Sequence, residues 1–275
     1  MSPNFFARRP FARSIRLAGA ALVVAAAAAL SACNIDISGQ AEGRSEWKKD
    51  YTLAAGGSLE IKNTNSLIEI DPSDGDKVSV TAERIAKAGT DEAAKQAAEA
   101  IEIKETVTGS SITLDASITH AVIGINIMGG SRQVKFHVRA PKGTRLILSN
   151  TNGNIDVRDM TGELRLSTTN GRIQGRNLEG NTRAETTNGL INLNYSAIGA
   201  DGITAETTNG KVEITLAKSI KARLNARVTN GAITAEDLPL AISEQSRRRL
   251  TATMNGGGPE IRVETTNGAV SLRSK

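Results

Sequence analysis

Two carboxylates, Glu185 and Glu206, have the spacing in this sequence that comes closest to supporting catalysis. Each lies three residues before an Asn-Gly pair, so on neighbouring turns of a repeat they would be about 4.7–4.9 Å apart. That separation is close to the one that retaining glycosidases use. Arg183 lies near Glu185, however, and nothing apolar is evident that would raise the pKa of either carboxylate and make it a proton donor. The pattern therefore favours a solvated charged ladder, and a polysaccharide lyase or hydrolase is the lesser alternative.

Other catalytic and metal-binding chemistry has few residues available. The chain contains two His and one Cys, and neither His120 nor His137 has a patterned Ser or Asp partner for a triad. The same counts exclude a disulfide framework and a Cys/His zinc site. The Gly- and Asp-rich nonapeptides that bind calcium in some solenoids do not occur in the sequence. We expect no catalytic residue, no metal and no cofactor.

The distribution of charge argues against nucleic acid as a partner. Lys and Arg total 34 and Asp and Glu total 29, but residues 1–32 contain four arginines and no acid, which leaves 30 − 29 = +1 for the rest. Four aromatic residues remain outside that leader. A nearly neutral body with so few stacking side chains does not fit a nucleic-acid binder.

The leader itself predicts export and a membrane anchor. A basic stretch precedes the apolar residues 17–30, which are too few to span a bilayer comfortably. The following sequence, Leu30-Ser31-Ala32-Cys33, resembles a bacterial lipoprotein signal, in which the cysteine is acylated and the leader is removed. The alternative is an ordinary signal peptide followed by a buried cysteine. We expect lipidation at Cys33, with palmitate among the acyl chains.

Lipidation would make a membrane the first partner of the protein and the bacterial cell envelope its location. Asn34 after the cysteine favours the outer membrane if the cell is Gram-negative. The segment Arg8-Arg9-Pro10-Phe11 resembles a twin-arginine export motif with departures at its flanks, so that route and the general secretory route both stay open.

Self-comparison shows a repeat centred on Thr-Asn-Gly. Its asparagines are Asn152, Asn170, Asn188, Asn209, Asn230 and Asn267, and Asn65 belongs to a Thr-Asn-Ser variant. Four residues before and three residues after each of the seven asparagines, the residue is always apolar. The period-two alternation shifts parity at the Asn, which predicts two short strands joined by a turn where Gly tolerates positive φ.

The length of the repeat predicts how these strands assemble. The four consecutive middle intervals are 18, 18, 21 and 21 residues, which matches one coil of a β-solenoid. A hairpin meander would use the same Asn-Gly turns, but stacked coils explain why identical residues recur at each level. The asparagines share parity with inward residues, so they would form either an amide ladder in the coil corner or merely a tolerant turn. Both interpretations stay open.

The predicted fold class is all-β: a single-stack β-solenoid with two short strands per 18–21-residue coil and one short Ala-rich helix. The helix would start at Thr90 and pack on a sheet edge or face, because it is marginal alone. Three regions are expected, a signal peptide (1–32), a flexible tether (33–52) and the repeat domain (53–275). Within the repeat domain, we expect the apolar stretch 120–130 to belong to the core rather than to form a docking loop.

These features together resemble a bacterial family of β-strand-repeat lipoproteins labelled putative adhesin, of unknown function. The motifs that carry the resemblance are the leader ending at Cys33, the Ala-rich helix, the turn 138–143, the Thr-Asn-Gly coils and the segment 256–261. The resemblance implies a non-catalytic solenoid of the cell envelope and supplies no catalytic residues.

The expected function is display of a repetitive polar surface to a glycan or an envelope protein. The residues chosen for that surface are Arg165, Arg183, Glu185 and Glu206. The alternative is an envelope-stress or signalling accessory that docks a protein partner through the open end of the solenoid.

Overall fold

The computed structural model describes residues 41–117 and 131–275. The predicted signal peptide, the lipidation site Cys33 and the whole apolar stretch 120–130, which includes His120, lie outside the described residues.

The described residues form nineteen strands and one helix, α1 (Asp91–Glu99). The strands before the regular repeat are β1 (Ala41–Thr52), β2 (Ser58–Asn65), β3 (Ile68–Ser73), β4 (Lys77–Ala88), β5 (Lys104–Thr108), β6 (Ser111–Asp115) and β7 (Arg132–Pro141). The repeat comprises β8 (Arg145–Asn152), β9 (Ile155–Arg158), β10 (Leu164–Asn170), β11 (Ile173–Leu178), β12 (Thr182–Asn188), β13 (Ile191–Tyr195), β14 (Ile203–Asn209) and β15 (Val212–Leu216). The last strands are β16 (Ala222–Glu236), β17 (Leu240–Gln245), β18 (Arg249–Met254) and β19 (Glu260–Ser274).

The repeat strands stack as parallel, in-register rungs, which confirms the solenoid and excludes the meander. Leu166 on β10, for example, is paired with Leu148 on β8 and with Ala184 on β12. Strands that precede the turn form a first face, in the order β6, β2, β8, β10, β12, β14, β19, β16. Strands that follow the turn form a second face, in the order β7, β3, β9, β11, β13, β15, β19, β16.

The order of the coils in space differs from their order in the sequence. β19 pairs with β14 and β15 on one side and with β16 on the other, so the coil made last lies between two earlier ones. The intervening hairpin explains this arrangement. β18 runs antiparallel to β16, β17 runs antiparallel to β18, and the chain then returns to fill the gap.

Alternating side chains build the core inside the stack. Leu166 is buried whereas its neighbour Arg165 is exposed, and the same alternation continues through the rungs. Each fully buried Leu or Ile contributes about 1.5–3 kcal/mol relative to an exposed position. Because every rung places its apolar residues on those of the next rung, the core is one continuous column.

The first end of the stack, here called the N-terminal end, is covered by α1. Thr90 caps the helix by accepting a hydrogen bond from the Ala93 backbone at 3.2 Å, as expected from the sequence. The helix packs on β1 and β4, and a Cβ on Gly43 would lie 2.1 Å from the Ala94 backbone. Residues 41–52, expected to belong to the tether, are therefore a strand. Pairing with β4 and packing of Trp47 against the core hold them in place.

Close packing between rungs requires glycine at all six Thr-Asn-Gly corners, and of these six glycines Gly231 and Gly268, with φ of 155° and 156°, also adopt positive φ. Gly153, Gly171, Gly189 and Gly210 do not adopt positive φ, contrary to the expectation from the sequence. A Cβ on Gly189 would instead lie 1.8 Å from the carbonyl oxygen of Gly171 in the rung below. The backbone conformation at these four positions would suit any residue, but the neighbouring rung lies too close to leave room for a side chain.

Candidate ligand-binding groove

Around Asn170, Asn188, Asn209 and Asn267, two threonines have different roles at the corner of the coil. The threonine two residues before the Asn is buried, and the threonine one residue before it is exposed. The buried hydroxyl donates to the glycine carbonyl of the preceding rung, as Thr168 does to Gly153 at 3.0 Å and Thr265 does to Gly210 at 3.0 Å. These bonds satisfy buried hydroxyls and hold the exposed threonines in a regular row.

The asparagine side chains bond to one another along the whole stack. Each amide Nδ2 donates to the Oδ1 of the adjacent rung at 2.8–3.2 Å. In spatial order the chain of bonds runs through Asn65, Asn152, Asn170, Asn188, Asn209, Asn267 and Asn230. Of the two interpretations left open by the sequence, the structure has the amide ladder.

The ladder lies on the outside of the corner, which differs from the expected inward orientation. Except for the half-buried Asn65, its members are exposed. The reason is that the threonine two positions earlier occupies the inner corner, and the backbone bends immediately after it. The register shows that bend, since Thr168 and Asn170 pair across rungs while Thr169 between them does not. The amides therefore line the surface.

A polar groove runs along the first face beside this ladder. Its volume is about 390 Å³. It is lined by Ser167, Thr168, Thr169, Glu185, Thr186, Thr187, Glu206, Thr207, Thr208, Arg227, Thr229, Glu264, Thr265 and Thr266. These residues come from five stacked rungs, so the groove is about 19 Å long at about 4.8 Å per rung.

Three stacked glutamates form one wall of the groove. Glu185 pairs with Glu206, and Glu206 pairs with Glu264, on three successive rungs. Arg227 occupies the next rung of the same row, opposite Glu264. Like charges at neighbouring positions repel. Arg262 offsets part of this repulsion, with its guanidinium 3.8 Å from Glu206 and 2.9 Å from Glu264.

The four surface residues predicted from the sequence lie together on this face. Arg165 and Arg183 occupy the same position on neighbouring rungs, as do Glu185 and Glu206. The arginines already have partners, since Arg183 forms an ion pair with Glu185, and Arg165 bonds Glu163 at 2.8 Å. Both glutamates are in contact with guanidinium groups, and the geometry is that of a solvated charged ladder.

Sequence reasoning missed Glu264 and Arg227 as groove residues, and Arg262 as the partner of two groove glutamates. A signal for Glu264 was present, because it precedes Asn267 by three residues, as Glu185 precedes Asn188. What the sequence lacked was the insertion of β19 between the coils of β14 and β16, which brings Glu264 next to Glu206.

The second face carries a separate network of charges. Glu69 accepts from His137 Nδ1 at 2.7 Å and from Arg158 at 2.5 Å, and Arg158 also bonds Asp71 at 2.8 Å. Burial opposes ionisation of Glu69, but its bonds to Arg158 and His137 outweigh that effect and lower its pKa. On the next rung, burial raises the pKa of Asp156 despite nearby arginines. Because these charged groups are bonded to one another, the network serves to hold the strands of the second face together.

The described residues contain neither a cluster suited to a metal ion nor a helix suited to cross a membrane. Within residues 41–117 and 131–275, no group of three or more His, Cys, Asp or Glu side chains is placed to hold a metal ion. Over the same residues, no helix is long and apolar enough to cross a membrane.

Together, the stacked rungs and the corner ladder define a β-solenoid. Residues 160–273 match the family model described as Toastrack DUF4097. The match confirms the family resemblance expected from the sequence. No curated protein sequence matches the chain.

Solved structures with a similar course of the chain are distant. A putative cell adhesion protein from Clostridium sporogenes has a TM-score of 0.40 at 12% identity, covering 84% of this chain and 100% of the other. A putative adhesin from Bacteroides fragilis has a TM-score of 0.32 at 11% identity, covering 84% and 97%. A putative lipid binding protein from Parabacteroides distasonis has a TM-score of 0.29 at 8% identity, covering 84% and 96%. Similarities this weak carry no argument about what the present chain binds.

Proposed function

We propose that this chain is a lipid-anchored, non-enzymatic protein of the bacterial cell envelope that binds an extended ligand along its first face. The observation that carries the proposal is the groove, in which three stacked glutamates and a row of exposed threonine hydroxyls on five rungs repeat at one spacing. A repeating wall of this kind matches a repeating ligand, such as a glycan chain or an extended protein segment.

The chemistry of the groove sets what the ligand must offer. Three carboxylates and the guanidinium of Arg227 line the groove, and Arg183 and Arg262 beside it form ion pairs with all three carboxylates. The charges therefore largely balance, which favours neutral hydroxyl groups over strongly charged ligands. Threonine hydroxyls both donate and accept hydrogen bonds, so they suit the hydroxyl groups of sugars. The lining has no aromatic side chain, and binding would depend on hydrogen bonds.

A glycan array with matched variants tests the proposal. Replacing the groove residue Glu206 in Glu206→Gln removes one charged acceptor, and Glu213→Gln makes the same change on the second face of the same coil. Losing a hydrogen bond to a charged group costs about 1.5–3 kcal/mol, so the groove variant should bind at least about tenfold more weakly. The control should bind like the unchanged chain. Equal loss in both variants would mean that the groove is not the site.

The same preparation addresses the enzymatic alternative. Release of reducing ends from a polysaccharide, abolished by Glu185→Gln, would replace binding by hydrolysis as the function. Binding without any release of reducing ends supports display.

A second candidate function follows from the end of the stack that carries the edge strand β17. The edge strand β17 exposes Ile242 to solvent, and a signalling accessory could dock an envelope protein there. Recovery of one stoichiometric envelope protein with the full chain, lost in Ile242→Lys and retained in Glu206→Gln, would support the accessory role over ligand display.

A further inference from the structure

The two ends of the stack present open strand edges of matching direction. Among the described strands, β5 pairs only with β6 and β17 pairs only with β18, so each has one edge of unpaired backbone groups. β17 runs in the direction of the coils, whereas β5 runs against them. A second copy placed on the same axis in the same orientation would therefore bring β17 and β5 together as an antiparallel pair.

An uncovered apolar side chain lies on each of these two edges. Val107 on β5 is 54% exposed and Ile242 on β17 is 49% exposed, and these are the large apolar side chains exposed among the described residues. Val107 lies opposite the buried Ile112, and Ile242 lies opposite the buried Ala252. Opposed residues share a face of the sheet, so both side chains face the core side at a point where the column of rungs stops.

The charges at the two ends are also complementary. The N-terminal end carries the exposed acids of α1, which are Asp91, Glu92 and Glu99. The opposite end carries Arg247 and Arg248, both exposed. Their carbonyl groups accept hydrogen bonds from Ile233 and Val228 of β16 at 3.0 Å, which fixes this basic turn over the last coil.

We propose that a second copy of this chain docks head to tail on the solenoid, with β17 of one copy pairing with β5 of the next. The contact buries Val107 against Ile242 beside the end covered by α1 and sets the basic turn against the acids of α1. Because the two contacting surfaces differ, the contact does not close on itself and produces linear stacks of copies.

Sedimentation and light scattering of the full chain over a range of concentrations test the proposal with two variants. Val107→Lys spoils one end and Ile242→Lys spoils the other, and because both positions are half exposed, the fold should persist, as checked by circular dichroism. Each variant alone should be monomeric. An equimolar mixture should give dimers and nothing larger, because each variant keeps one intact end.

Matched controls on the outer side of the same strands are Thr106→Lys and Ala241→Lys, which should assemble like the unchanged chain. Three results would overturn the proposal. They are an unchanged chain that stays monomeric up to its solubility limit, a mixture of the two variants that stays monomeric, and a two-fold dimer that survives Val107→Lys but not Ile242→Lys. Stoichiometric binding of another envelope protein at Ile242, without self-association, would also overturn it.

Discussion

The glycines at the coil corners should be intolerant of even one added methyl group. In Gly189→Ala the new Cβ would lie 1.8 Å from the Gly171 carbonyl oxygen, and contacts under 3.0 Å essentially do not occur, so the rungs must separate there by at least 3.0 − 1.8 = 1.2 Å. A shift of this size disrupts the bond from Gly171 N to Asn188 O at 3.1 Å and the amide bond from Asn188 to Asn170 at 2.9 Å.

The magnitude follows from these bonds. Three hydrogen bonds are lost, namely the two above and the weaker bond from Thr186 to Gly171 at 3.4 Å. Each costs about 0.5–1.5 kcal/mol. The alanine recovers about 0.4–1 kcal/mol by restricting the unfolded chain. The free energy of unfolding should therefore fall by about 0.5–4 kcal/mol, a range that includes the usual cost of overpacking, about 1–3 kcal/mol.

Urea unfolding followed by circular dichroism measures this loss, and Gly143→Ala is the matched control. Gly143 is also a turn glycine without positive φ, but a Cβ there would have nothing within 4 Å. The control should therefore be unchanged or slightly more stable. If both variants unfold at the same urea concentration with the same dependence on urea, contact between rungs is not the reason for glycine at these corners.

Three further predictions concern the core, the anchor and pH. Leu166→Asp should lower the melting temperature far more than Arg165→Asp, because Leu166 is buried and Arg165 is exposed; equal melting temperatures would refute the inside and outside assignment. Cys33→Ser should release the protein from the membrane fraction in a fractionation blot, and retention there would contradict lipid anchoring. Glu69 has a folded pKa below its ordinary value of 4.5, so its contribution to stability is present above pH 4.5 and is lost as pH falls through the lower folded pKa. Acid unfolding should therefore be less steep in Glu69→Gln, and an identical pH profile would show that the network on the second face contributes nothing.

The repeat made much of the fold predictable, because its alternation reflects a physical requirement at each rung. Leu166 must face the core and the same position recurs on every rung, so the strand positions and the alignment of the asparagines on successive rungs follow from spacing, whereas the bonding between the asparagines and their outward orientation do not. The order of the coils does not follow from spacing, because the pattern around Asn267 is the same wherever its coil lies in the stack. The groove was therefore only half predictable. Glu185 and Glu206 could be placed together, but Glu264 depends on a long-range pairing.

The reason for glycine was also hidden from the sequence. Positive φ and close approach both select glycine, and the sequence cannot distinguish a conformational need from a contact with another rung. Gly189 shows the second cause alone.

The insertion of β19 between earlier coils has a consequence for biosynthesis. When β16 emerges from the ribosome, the neighbour it will have in the finished protein has not yet been made, since β19 follows it in the chain. Rungs up to β15 can add one after another as they are translated, but the coil of β16 must wait or pair provisionally with β14. Assembly therefore begins with coils added one after another and ends with the insertion of β19 between two coils. Slow translation through 237–259 would prolong the interval in which a wrongly ordered stack can form.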